Sequence, residues 1–283
     1  MKIFVSLLLI LLLVLSLGLG VDESALKLQD EAFNRAMLAF GLAKGLNAVI
    51  SLLQGTELSF TPVGIGLNFS IGEVLDPFND MVERFSWVML LASVSLGIQK
   101  LLLILSAKVF LQVTLGLSLL VSLGILWIKE LKNELFLSYT LKFFALVVLL
   151  RFSAIIFVMM SQLLYNTSLK NEYIEASHVV EKTKIALEDL ETRNSNLIKS
   201  KKEAGFFERV NTQYKSFSNS LNIKKQLDEL EENIENASKK IITLITIFVF
   251  QSVLFPLVYL YLFVLSIKLI FRSELKLKML YNN

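Results

Sequence analysis

The sequence predicts an all-α membrane protein: a helical transmembrane bundle carrying an antiparallel coiled-coil hairpin and a small exported N-terminal subdomain. Three observations predict it. Of 283 residues, 54% are hydrophobic, and the excess over a roughly half-apolar soluble average gathers into runs long enough to cross a bilayer. Residues 166–240 are polar and carry heptad spacing towards both ends. Residues 1–20 have the form of a secretion signal.

Composition narrows the function classes. Net charge is only +3, with bases scattered among acids rather than gathered in a stripe, which argues against nucleic-acid binding. With no cysteine and one histidine, His178, thiolate chemistry is excluded. A zinc site would need an uncommon ligand set. No Gly-rich phosphate loop, G-x-S-x-G or H-E-x-x-H stretch occurs. A non-enzymatic protein without a cofactor is expected.

Lys2 precedes an apolar stretch from Ile3 to Leu19, and acidic residues begin at Asp22. A cleaved signal peptide fits; an uncleaved anchor is the alternative, because the run approaches the length of a span. Residues 21–86 form the expected exported subdomain. Within it, Leu28, Ala32, Phe33, Ala36, Met37, Phe40, Val49, Leu52 and Leu53 recur at helical spacing, an amphipathic helix ending near Gly55. Glu57–Thr61 and Ile65–Phe69 alternate around a Pro62-Val63-Gly64 turn, which suggests a β-hairpin. Ser70 to Glu73 has capping-box form, but Asp76-Pro77 reads as N-cap and first turn of a helix starting at Pro77. Residues 21–84 hold four bases against nine acids, a net of −5, which disfavours the cytoplasmic side.

Residues 87–106 are apolar but interrupted by Ser93, Ser95, Gln99 and Lys100; the segment either lies in the interface or spans. Residues 109–128 are the length of a span, 129–142 a short loop, and 143–165 the next span. In 166–240, thirteen bases balance thirteen acids. Ala176, Val180, Thr183, Leu187, Leu190, Asn194 and Leu197 form one heptad seam, and Leu227, Leu230, Ile234, Ala237 and Ile241 a second. A turn near Gly205 makes these the arms of a hairpin. The last span covers 241–267, and the tail, 268–283, has a net of +3. Positive-inside counting puts this tail in the cytoplasm, hence the hairpin outside and 87–106 not spanning. The alternative has four spans after the signal and an internal hairpin.

Arg151 stands eight residues inside its span, about 12 Å deep, where an arginine should face the bundle and find a partner. No acid lies in the expected spans, so Tyr259 or Tyr261, at matching depth on the last span, is the expected intramembrane contact. Pro256 frees the Ser252 carbonyl and can kink that span. Ser118 and Ser122 form a small-xxx-small pair, and His178 falls on a solvated face. The expected role is an envelope scaffold of a bacterial inner membrane, with periplasmic hairpin and cytoplasmic C-terminus. It would contact the lipid bilayer, bind a protein partner through the hairpin and could form a homo-oligomer. The alternative, a transporter or channel subunit, draws on Arg151, Pro256, Gln112 and Gln251.

Overall fold

Hydrophobic runs this long fold as helices in any apolar surrounding, because only helices satisfy their own backbone groups locally. The computed structural model describes residues 20–55, 71–128, 134–203 and 229–272, with residues 3, 6, 7, 10, 11 and 14. All regular structure among them is helical. In chain order the helices are α1 (Val21–Gly55), α2 (Ile71–Ser106), α3 (Val109–Trp127), α4 (Glu134–Leu164), α5 (Lys170–Glu203), α6 (residues 229–249) and α7 (Phe255–Arg272). Single π-helical turns, Tyr165–Leu169 and Phe250–Leu254, join α4 to α5 and α6 to α7. Five of the continuous helical stretches are long and apolar enough to cross a membrane by length and composition.

The chain divides into two compact units: Met1–Asn34, Val94–Thr167 and Phe250–Asn283 form the first, Arg35–Ser93 and Ser168–Val249 the second. In the second unit four helical segments each bury residues spaced alternately by three and four. These are Ala36, Ala39, Ala43, Leu46, Ile50 and Leu53 on α1, and Leu75, Phe78, Val82, Phe85, Met89 and Ala92 on α2. On α5 they are Ala176, Val180, Thr183 and Leu187, and on α6 Leu230, Ile234, Ala237, Ile241 and Leu244. Such spacing keeps one stripe of each helix facing a neighbour along its length. Gln54 donates to Asp76 at 2.6 Å between α1 and α2. Lys240 donates to Glu175 at 2.5 Å between α6 and α5, beside an edge-to-face contact of Tyr173 with Phe248.

Four expectations change. The buried face of α1 is its alanine stripe; Met37 and Leu52, counted in the apolar face, are 43% and 57% exposed. Alanines let backbones approach more closely than the larger residues do, so size and not apolarity selects the face. The second helix starts at Ile71, not Pro77, which lies within it; the Ser70–Glu73 sequence marks the start better than Asp76-Pro77. The amphipathic helix and 87–106 prove to be parts of α1 and α2, each of which contributes to both units. The loop of 129–142 shrinks, since α4 opens at Glu134. The expected β-hairpin and the hairpin turn near Gly205 lie outside the described residues, as do Leu227 and the side chains of Asn194 and Leu197.

The first unit fixes helix directions. Leu115 and Leu119 of α3 pack with Phe144 and Val147 of α4, and Ile125 and Leu126 with Leu137, so the two helices run antiparallel. Ser118 and Ser122 are buried, donating to Leu115 and Ser118 carbonyls. Lys142 donates to the Phe271 carbonyl at the end of α7 (3.0 Å), where a cation suits the negative end of the helix dipole. A third cluster gathers Ala25, Leu103, Ile155, Phe157 and Val158, flanked by Phe255 and Tyr259.

Candidate functional site

Arg151 is 1% exposed, the largest fully buried side chain described. Its two terminal nitrogens donate to the two oxygens of Asp22, at 2.8 and 2.5 Å, the fork-to-fork geometry that makes an arginine–carboxylate pair directional as well as strong. Asp22 is in the first turn of α1, where the helix dipole favours a carboxylate. The guanidinium also stands 5.7 Å from the Phe152 ring centre.

The sequence directed Arg151 to Tyr259 or Tyr261; the structure gives it an acid. The Tyr259 hydroxyl donates to the Ser153 carbonyl at 2.6 Å and its ring meets Phe157 edge-on at 5.0 Å, so it joins α7 to α4, whereas Arg151 joins α4 to α1. Tyr261 is 69% exposed. Asp22 escaped because it follows the signal-like run and was assigned to an exported segment. The legible signal was the intramembrane arginine itself, which called for an acid anywhere in the chain.

Further polar contacts follow along α1. Eight residues beyond Asp22, about 12 Å, Asp30 pairs with Lys100 at 2.6 Å. Gln29 donates to the Leu96 carbonyl at 2.9 Å. Pro256 lacks the N–H that would bond to Ser252, and Ser95 supplies the replacement, donating to the Ser252 carbonyl at 2.7 Å. Gln99 in turn donates to Ser95 at 3.3 Å. The π-turn Phe250–Leu254 directly precedes the proline-containing helix, so the interrupted ladder and its side-chain repair coincide. Gln251 is 4% exposed; Gln112 lies half-buried on α3.

The level of Arg151 is also where helices break. The pairs Asp22–Arg151 and Ala25 with Ile155 make α1 parallel to α4, while Asp30–Lys100 and Ala25–Leu103 make α2 antiparallel to both. Ser106, the end of α2, is therefore one turn below Leu103, near Arg151. From there Lys108 adopts extended backbone (φ −64°, ψ 142°) and α3 continues in the same direction. Gly20, with φ +59°, precedes α1, and its carbonyl accepts from Ser24 at 3.0 Å. Two helical interruptions thus flank one buried ion pair.

Among the described residues no three His, Asp or Glu side chains are placed to hold a metal ion. The chemistry available is ion pairing and hydrogen bonding between helices. No protein-family model, curated protein or solved structure matches this chain.

Proposed function

We propose that the chain is a non-enzymatic integral protein of a bacterial inner membrane, in which the first unit crosses the bilayer and the polar helices of the second bind or space a protein partner. The observation that carries this is the α5–α6 pair. Glu175–Lys240 and Tyr173–Phe248 join the helices near their roots, their heptad-spaced residues are buried, and Glu181, Lys182, Asp189, Glu231 and Glu232 stay exposed. Read with the undescribed turn, this is a coiled-coil hairpin, a stiff element that presents a charged surface at a set height. In this reading residues 35–93 and 168–249, one compact unit, lie on one side of the bilayer. The basic tail occupies the other.

Site-specific photo-crosslinking tests it. Probes at Glu181 and Asp189 in intact cells should give one discrete adduct, abolished by charge reversal at neighbouring exposed arm positions. Arm probes that give no adduct, or one indifferent to charge reversal, contradict the reading.

A second reading, a subunit of a transporter or channel, is favoured by one specific observation: helices interrupted beside a buried charge pair, an arrangement transporters use near mid-bilayer. It predicts ion flux in proteoliposomes that Asp22→Asn changes, and a ring-like homo-oligomer in detergent. Tight vesicles containing a monomer contradict it.

A further inference from the structure

We infer that residues 1–20 stay attached in the mature protein, as the first half of a discontinuous membrane crossing that resumes at Val21 and holds Asp22 against Arg151 deep in the bilayer. The inference rests on the membrane reading of the first unit.

Heights along the bundle agree. The Trp127 indole donates to the Ser6 hydroxyl at 3.1 Å, and Ser6 is only 8% exposed, so Ser6 is packed at the end of α3. That end lies level with Leu137, which packs on Ile125 and Leu126. From Leu137 to Arg151 is fourteen residues of α4, about 21 Å; from Ser6 to Asp22 is sixteen residues, about 24 Å if helical. Ser6 and Asp22 thus stand at the levels of Leu137 and Arg151, a separation the intervening residues can span as one helix-length path. Arg151 is nine residues above Lys142 and fourteen below Tyr165, about 13 and 21 Å, which puts the pair well inside the apolar slab. Counted this way the first unit makes four crossings, two of them broken, at Gly20 and at Ala107-Lys108. Lys2, the 129–142 segment and the basic tail then share one side, as positive-inside counting asks.

Cleavage after Gly20 would damage this arrangement twice. It would leave a new ammonium on Val21, one residue from Asp22, at a depth where charges must be paired and where Arg151 already claims the carboxylate. It would also remove the Gly20 carbonyl that accepts the first hydrogen bond of α1. Gly20 suits the break because only glycine readily adopts its left-handed backbone.

The test is intact-mass spectrometry on full-length protein extracted from cell membranes, with carbonate washing in parallel. Retention of Met1–Gly20 is expected. A mass corresponding to a chain that begins at Val21, in protein that resists carbonate, overturns the inference while leaving the membrane reading standing. Release by carbonate overturns the membrane reading and the inference with it. The pairing is read separately: Asp22→Asn and Arg151→Gln should each lower the thermal midpoint, and the second change should add less than half its own effect when the first is present. Full additivity overturns the claim that the crossing holds Asp22 to Arg151. If neither single variant can be purified, the charge-reversed pair Asp22→Arg with Arg151→Asp should be recovered at ten times or more the yield of either reversal alone; equal yields overturn the pairing.

Discussion

A single buried arginine organises the polar contacts of the first unit. Removing one partner from a buried ion pair leaves the other charge uncompensated, at about 3–5 kcal/mol. Because the Asp22 side chain is 27% exposed, the lower end applies: Arg151→Met should destabilise by about 3 kcal/mol in thermal unfolding, and adding Asp22→Leu should recover most of it. A double variant as unstable as the single would mean that Arg151 acts through other contacts. The Ser95 hydroxyl offers a smaller effect. Ser95→Ala removes a hydrogen bond to the Ser252 carbonyl, for about 1 kcal/mol, and an unchanged melting curve would show that this bond carries no stability. Both sites were half-legible in sequence. Arg151 and Pro256 announce an unmet need, a charge and an orphan carbonyl, because each need is intrinsic to its residue. The groups that meet them, Asp22 and Ser95, come from helices remote in sequence, and neither residue type advertises its partner.

Helix existence was legible nearly throughout, and helix faces less so. The α5 and α6 seams were readable because their other positions are polar, so the apolar residues stand out at intervals of three and four. On α1 and α2 apolar residues occur all round, so the buried stripe does not stand out by composition; on α1 alanine marks its first half, while on α2 it carries Phe78, Phe85 and Met89. Gly45 on α1 shows the same closeness: a Cβ built there would stand 2.8 Å from Lys184 Cε. That atom is near the free end of a flexible side chain, so it can move. Gly45→Ala should therefore stabilise by up to about 1 kcal/mol through helix propensity; a lower thermal midpoint would show that Lys184 cannot give way. The α5–α6 contact has a defined pH response. Its hydrogen bond to Glu175 raises Lys240 above the ordinary lysine value, so its contribution is complete below that value and fades as pH rises through the raised one. Glu235, lowered by its hydrogen bond to Lys239, contributes above the ordinary carboxylate value and loses this as pH falls through the lowered one. Both windows lie away from neutral pH, so helix pairing should hold steady between about pH 6 and 9. A Cys pair spanning α5 and α6, read by disulfide trapping, checks this, and a change in trapping within that range would contradict it.

At the scale of the molecule, apolar runs mark three spans, with 87–106 as a fourth in the alternative, where five helical stretches are long and apolar enough to cross, and they do not show which segments make one crossing. A run is counted by length, whereas α2 and α3 follow one path interrupted at Ala107-Lys108. Breaks of one or two residues inside apolar sequence carry almost no compositional mark. In the second unit the α5–α6 seams stand out in the sequence, whereas α1 and α2 read as an exported helix and an interfacial or spanning segment, because each continues from one unit into the other. Charge counting stays the more reliable guide to sidedness, since it depends on the ends of crossings rather than their number.

The absence of cysteine permits the most direct test of the account, that the second unit faces the periplasm and the basic tail the cytoplasm. Single cysteines are placed at exposed Glu181 and at exposed Arg272, and intact cells are treated with a membrane-impermeant thiol reagent. The account predicts labelling at 181 in intact cells and at 272 only after lysis. Labelling at 272 in intact cells with 181 protected would contradict it, reversing the protein in the membrane and moving its partner to the cytoplasm.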